Sequence, residues 1–126
     1  MSELKFTIPR SLWLTANGRY HWAVKARATR DLRSIGWAES VAADLRHANL
    51  GPTHVAAHIG YLRNGTADPC NAAPTVKALI DGMVDAGVWP DDDSIYVVRQ
   101  SFLRDPKSPT PGHYTVRLTL TPQEPQ

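Results

Sequence analysis

Between residues 74 and 87 the chain commits to a helix, and the acids around that helix limit what it can be for. Pro74 suits a first helical turn, where a missing N–H leaves no donor stranded, and Gly87 followed by Pro90 marks the stop. Val76, Leu79, Ile80, Met83 and Val84 recur at i, i+3, i+4, i+7 and i+8, an apolar stripe that has to be buried against other elements. Lys77, Asp81 and Asp85 occupy another face. Over residues 68–93 six carboxylates (Asp68, Asp81, Asp85, Asp91, Asp92 and Asp93) stand against a single base, Lys77. So much like charge serves more than a structural purpose. A loop acid before the helix and an acid cluster after it are expected to converge on its polar side, as carboxylates do around a shared divalent cation.

The segments around this helix alternate with a period of two. Leu4, Phe6 and Ile8 interleave with Lys5 and Thr7 and read as a strand ending at Pro9. Val55, Ala57, Ile59 and Tyr61 make a second strand, and Tyr114, Val116, Leu118 and Leu120 the last one. Residues 95–103 are β-rich, and the proline-rich stretch 105–112 is expected to be the turn of a hairpin. Leu32, Ile35, Val41, Ala42 and Leu45 keep helical spacing, so a helix is expected over 24–47, with Gly36 inside it as a possible interruption. The order β-α-β-α-β-β implies one α+β domain with two helices packed on a small mixed sheet. At 126 residues it is expected to be a single domain over 1–121 with a mobile tail at 122–126.

Several classes of protein are disfavoured by the same reading. No run of about 18 apolar residues is present, so no membrane partner is expected, and the polar start is not a signal peptide. The lone Cys70 agrees with a reducing, cytoplasmic location. There is no phosphate-loop or dinucleotide-binding glycine motif, so no small-molecule cofactor is expected, and no Cys/His set is spaced for zinc. His54 and His58 share a strand face but lie about 13 Å apart at ~3.3 Å per residue, and read as surface or dimer-contact residues.

Residues 10–33 carry the opposite charge: six bases (Arg10, Arg19, Lys25, Arg27, Arg30 and Arg33) against Asp31 alone. A basic segment beside a carboxylate cluster is the layout of a protein that grips a phosphate backbone and attacks it, although solvated helix charge gives the same pattern. In the loop before the basic helix, Trp13, Asn17, Arg19, Tyr20 and Trp22 interleave aromatic, amide and cationic groups. These aromatics are candidates either for base stacking or for the core and a dimer interface. Asp68 and Asp92, with Asp81 or Asp91, are candidate Mg2+ ligands, because magnesium takes hard oxygen donors and retains waters. Lys77 can stabilise charge on a phosphate or orient a water, and it can equally pair with Asp81 one turn later.

The run Asp68-Pro69-x-Asn71, Pro74-Thr75-x-Lys77, Asp81-Gly82, Asp85-Ala86-Gly87 and Asp91-Asp92 resembles the signature of the RusA family of Holliday junction resolvases, common in bacteriophages. The segment from Asn17 to Trp22 and the basic helix are similar to that family's N-terminal pattern. The resemblance implies a homodimeric endonuclease dependent on Mg2+, with Mn2+ a possible substitute, that makes paired, symmetric nicks in four-way DNA. It also implies that Asp68, Asp92 and Lys77 are catalytic and that Asp68, Asp92, Asp91 and Asp81 hold metal. The expected DNA contacts are Asn17, Arg19, Lys25, Arg27, Arg30, Arg33 and Arg63. One departure stands out: Cys70 occupies the place of a second carboxylate, and magnesium disfavours a soft thiol. The alternative reading is therefore a junction-binding protein that cleaves weakly or not at all.

Overall fold

The computed structural model describes residues 2–91 and 93–124. Four strands and two helices follow the expected order: β1 (Ser2–Pro9), α1 (Trp22–Ala42), β2 (Thr53–Gly60), α2 (Ala73–Asp85), β3 (Val97–Arg104) and β4 (His113–Pro122). Short 3-10 turns at Arg10–Leu12 and Pro69–Ala72 complete it. The strands form one mixed sheet in the order β1-β4-β2-β3. β4 runs antiparallel to both β1 and β2, whereas β2 and β3 are parallel, so β1, β2 and β3 all point the same way.

Period-two patterning sorts the sheet into an inner and an outer face. Leu4, Phe6 and Ile8 of β1, Val55, Ala57 and Ile59 of β2, and Val116, Leu118 and Leu120 of β4 are all buried on the inner face under the helices. The outer face carries Lys5, His54, His58, Arg117 and Thr119. There His54 Nε2 lies 2.7 Å from Ser101 Oγ, and His58 Nε2 lies 3.4 Å from Thr119 Oγ1. Both histidines are half-buried among sheet neighbours.

The expected hairpin after β3 does not form, because β3 and β4 are not neighbours. The loop between them instead crosses the end of β2, where Asp105 N donates to Ile59 O (2.9 Å) and Ser108 N to Tyr61 O (2.8 Å). β4 is thereby delivered into the gap between β1 and β2. It also continues through Pro122, and Gln123 N donates to Pro52 O (2.9 Å), so the strand reaches into the segment expected to be a tail.

α1 begins at Trp22, where His21 Nδ1 accepts from Ala23 N (3.2 Å), and ends at Ala42 rather than at His47. The early stop has a local cause: Asp44, His47 and Asn49 adopt positive φ (61°, 61° and 50°), and Leu45 N bonds Ser40 O in a Schellman-type closure. Asp, His and Asn tolerate that conformation better than other non-glycine residues. The segment beyond the helix then straps onto the end of α2, with His47 N, Asn49 N and Leu50 N donating to the carbonyls of Ala86, Gly87 and Val88.

Gly36 does not interrupt α1. A Cβ at Gly36 would overlap the Leu79 carbonyl oxygen, and one at Gly82 would overlap the Arg33 carbonyl oxygen. Two glycines, one on each helix, thus let the backbones of α1 and α2 touch, which offsets the roughly 1 kcal/mol of propensity a mid-helix glycine costs. Lateral approach buries seven residues of the 13-residue α2 and leaves the Lys77, Asp81 and Asp85 stripe facing outward.

Candidate nucleic-acid interface and acidic site

α2 is the crossover between parallel neighbours β2 and β3, so its two ends lie at opposite ends of the sheet. Its head sits by the C-terminal ends of β2 and β3. Asp68 closes the preceding 3-10 turn, its Oδ1 accepting from Cys70 N (3.0 Å) while its carbonyl accepts from Asn71 N (3.0 Å). Thr75, fully buried in the first turn of α2, receives Leu14 N (2.9 Å) and donates to Leu14 O (2.8 Å). That clasp fastens the loop after β1 to the head, where Ala16 N donates to Asn71 O (2.9 Å) and Asn17 Nδ2 to Asn71 Oδ1 (3.4 Å).

The backbone around Asp68 is braced from below. Tyr61, just past β2, donates its hydroxyl to Asp68 O (3.2 Å), and Arg104, the last residue of β3, donates Nη1 to Ala67 O (3.1 Å). The Arg104 guanidinium lies 4.7 Å from the Tyr61 ring centroid. Tyr61 meets Tyr114 edge-on, and Tyr114 stacks on Trp13 at 4.0 Å and 6°. Burial pushes the Tyr61 phenol up, Arg104 acts against the rise and Asp68 adds to it, so the hydroxyl keeps the proton it donates.

Midway along α2, Lys77 Nζ donates to Asp81 Oδ1 at 2.6 Å, as the i, i+4 spacing implies. At the foot, Asp85 takes a forked pair of hydrogen bonds from Arg33 of α1, Nη2 to Oδ1 being 2.7 Å, and this holds its carboxyl below the usual range. Asp93 belongs to the foot as well. Its Oδ1 accepts from Ile95 N (2.9 Å) and its carbonyl from Tyr96 and Val97 N, while Val97 begins β3 beside Thr53. Nearby, Trp89 Nε1 donates to Thr53 Oγ1 (3.0 Å), so Asp91 follows a residue anchored at the start of β2.

Among the described residues, the acids expected to converge are spread along α2. Thirteen helical residues at ~1.5 Å each separate the head, with Asp68, from the foot, with Asp91, by about 20 Å, and Asp81 lies between. Among the described residues no three His, Cys, Asp or Glu side chains are grouped to hold a metal. Asp92, expected to be both catalytic and a ligand, lies outside the described residues. Asp68, Asp81 and Asp91 have the hard-oxygen chemistry magnesium requires, but they are not grouped among the described residues.

The basic residues are placed as a surface. Lys25, Arg27, Arg30 and Arg33 are exposed along α1, Arg19 is exposed in the docked loop and Arg63 in the loop after β2. Arg30 Nε lies 3.7 Å from Asp31 Oδ1, an exposed contact of little energetic weight. Of the aromatics offered for stacking, Trp13 is buried, and the Tyr20 hydroxyl is engaged by Thr15 N at 3.1 Å. Only Trp22 is open, 77% exposed, and with Val24, Trp37 and Val41 it leaves apolar area on the outside of α1. Sequence reading missed Tyr61, Arg104 and Tyr114 as parts of the head. The available signal was Arg104 in phase with Phe102, which only the β2–β3 register turns into a position.

No protein-family profile matches the chain, and no curated protein is similar to it.

Proposed function

We propose that the protein is a magnesium-dependent endonuclease for four-way DNA junctions, acting as a two-fold dimer. The observation that carries this reading is the layout of α2, with carboxylates at its head and at its foot and the exposed Lys77–Asp81 pair between them. A two-fold axis across the helical layer sets the head of one α2 beside the foot of the other, completing the donor set that one chain leaves divided. Two features favour pairing on this layer: the apolar area at Trp22, Val24, Trp37 and Val41, and a basic α1 lying next to the acidic stripe of α2. Such a dimer offers two equivalent sites to a substrate with its own two-fold symmetry.

Asp68 of one chain and Asp91 of the other supply oxygen donors, and the exposed Lys77, paired with Asp81, can neutralise a backbone phosphate. Lys25 and the arginines of α1, with Arg19 and Arg63, hold the DNA by charge, so binding falls steeply with salt. Magnesium, when bound, lowers the pKa of a water and stabilises charge on phosphate oxygens. The test is cleavage of a synthetic four-way junction with magnesium by the wild-type protein and by Asp68→Asn. A loss of at least about 100-fold in the variant is expected, and equal products from both rule the reading out.

A second reading is favoured by one observation: Cys70 is exposed beside Asp68, where its backbone N–H, and no second carboxylate, meets the acid. On this reading the protein binds junctions and cuts them poorly. Cys70→Asp then raises cleavage sharply at unchanged junction affinity, and no gain removes the reading.

A further inference from the structure

Beside the head of α2, a cleft of about 230 Å³ is lined by Tyr61, residues 62–67, Arg104 and Tyr114. We infer that this cleft is a subsite for one backbone phosphate of bound DNA, held between Arg63 and Arg104 next to Asp68. The inference rests on the nucleic-acid reading above and adds to it a place on the protein and two named contacts.

Charge, volume and the state of the aromatic rings each support it. The lining carries two guanidinium groups and no carboxylate, and a guanidinium fork matches phosphate oxygens. The volume lies below the roughly 300 Å³ at which small-molecule pockets begin, which suits an oxyanion. The rings are already used: Tyr114 stacks on Trp13, Tyr61 lies under Arg104, and the two tyrosines meet edge-on. One face of each ring is thus already occupied, and recognition falls chiefly to the cations. Arg104 commits Nη1 to Ala67 O, which fixes its plane and leaves the rest of its fork for the ligand. The Arg63 side chain has no hydrogen-bond or ion-pair partner among the described residues, so it approaches the anion without breaking a contact.

The geometry also joins binding to the acid. Arg104 holds the carbonyl directly before Asp68, so a phosphate seated on Arg104 lies on the strand that passes the head of α2. At the foot, the cleft that holds Arg30 and Arg33 also contains Asp85, whose carboxylate takes up Arg33.

The experiment measures anisotropy of a labelled four-way junction without metal, across a salt series. It compares the wild type with Arg63→Gln, Arg104→Gln, Arg104→Lys and, as a charge control on the outer sheet face, Arg99→Gln. Each glutamine variant in the cleft is expected to weaken binding about tenfold and to reduce the salt slope by about 1, with Arg104→Lys recovering most of the loss and Arg99→Gln changing neither quantity. Losses no larger than that of Arg99→Gln overturn the inference. Thermal denaturation checks folding, and if Arg104→Gln is unfolded, Arg63→Gln carries the test because no structural contact is removed. A variant that loses affinity for inorganic phosphate yet keeps its junction affinity also overturns it. Cleavage by the wild type is followed in parallel. Tenfold binding losses without any cleavage remove the nuclease reading and leave the subsite, whereas cleavage with unchanged binding in the variants removes the subsite alone.

Discussion

The two ends of α2 are built differently, although both carry aspartate. At the head, the Asp68 carboxylate accepts from Cys70 N in its own turn, while the backbone around it is held by Tyr61 and, one residue back, by Arg104, and the Thr75 clasp brings in a loop from the far edge of the sheet. At the foot, Asp93 serves its own turn through Ile95 N, and Asp85 is spent on Arg33. A turn whose backbone is held by groups from several elements presents its acid from one position, whereas a turn closed by its own residues lacks that bracing. The head thus has the character of a prepared site, and the foot that of a locally closed turn.

Mixing inactive protomers breaks or sharpens this contrast most strongly. If head and foot meet across a two-fold axis, Asp68→Asn and Asp91→Asn proteins, each inactive alone, regain nicking when refolded together. Half of the dimers then hold one intact site, giving about a quarter of wild-type nicking. No recovery means that head and foot do not share a site across the dimer.

The seating of α2, which carries both ends, against α1 depends on the glycine contact between the helices. Gly82→Ala places a Cβ against the Arg33 carbonyl oxygen and is expected to cost about 3 kcal/mol in urea denaturation, the upper part of the range for overpacking. An unchanged midpoint means that the helices part easily and that the close contact does not fix the seating of α2.

The smallest effect compares the ion pairs. Asp105, near the head end of the sheet, is held below the usual carboxylate range by its hydrogen bonds from Arg117 (2.8 and 3.1 Å) and is 20% exposed, whereas the Asp85 side chain at the foot is 39% exposed. A depressed carboxylate stabilises the fold above its unfolded pKa of ~3.9, and the contribution disappears as pH falls through the folded value. Asp105→Asn should therefore lose about 1 kcal/mol at pH 7 and converge with the wild type in acid. Asp85→Asn should lose only a few tenths, because solvent and salt screen the exposed pair. Chemical denaturation across pH 2–7 separates them, and equal losses erase the difference in depth between the two ends.

Much of this molecule is legible in its local patterns. The three alternating strands, the α2 stripe and its Pro74 and Gly87 limits, and the Lys77–Asp81 pair follow from the period at which side chains return to one face, a property of neighbours in the chain. The premature end of α1 was not legible, because the left-handed turns fall on Asp44, His47 and Asn49 without a glycine to announce them. Gly36 read as a weakness until the opposing Gly82 gave it a purpose.

What the amino acids determine unaided is the inventory: two helices, a sheet with one apolar face, a basic stretch and an acidic one. What the tertiary structure decides is adjacency. Insertion of β4 between β1 and β2, and the run of α2 as a rigid crossover from one end of the sheet to the other, place Tyr61 and Arg104 beside Asp68 and carry Asp91 away from it. Strand pairing and the reach of a helix join residues far apart in sequence, and no local period encodes which distant segment supplies the neighbour.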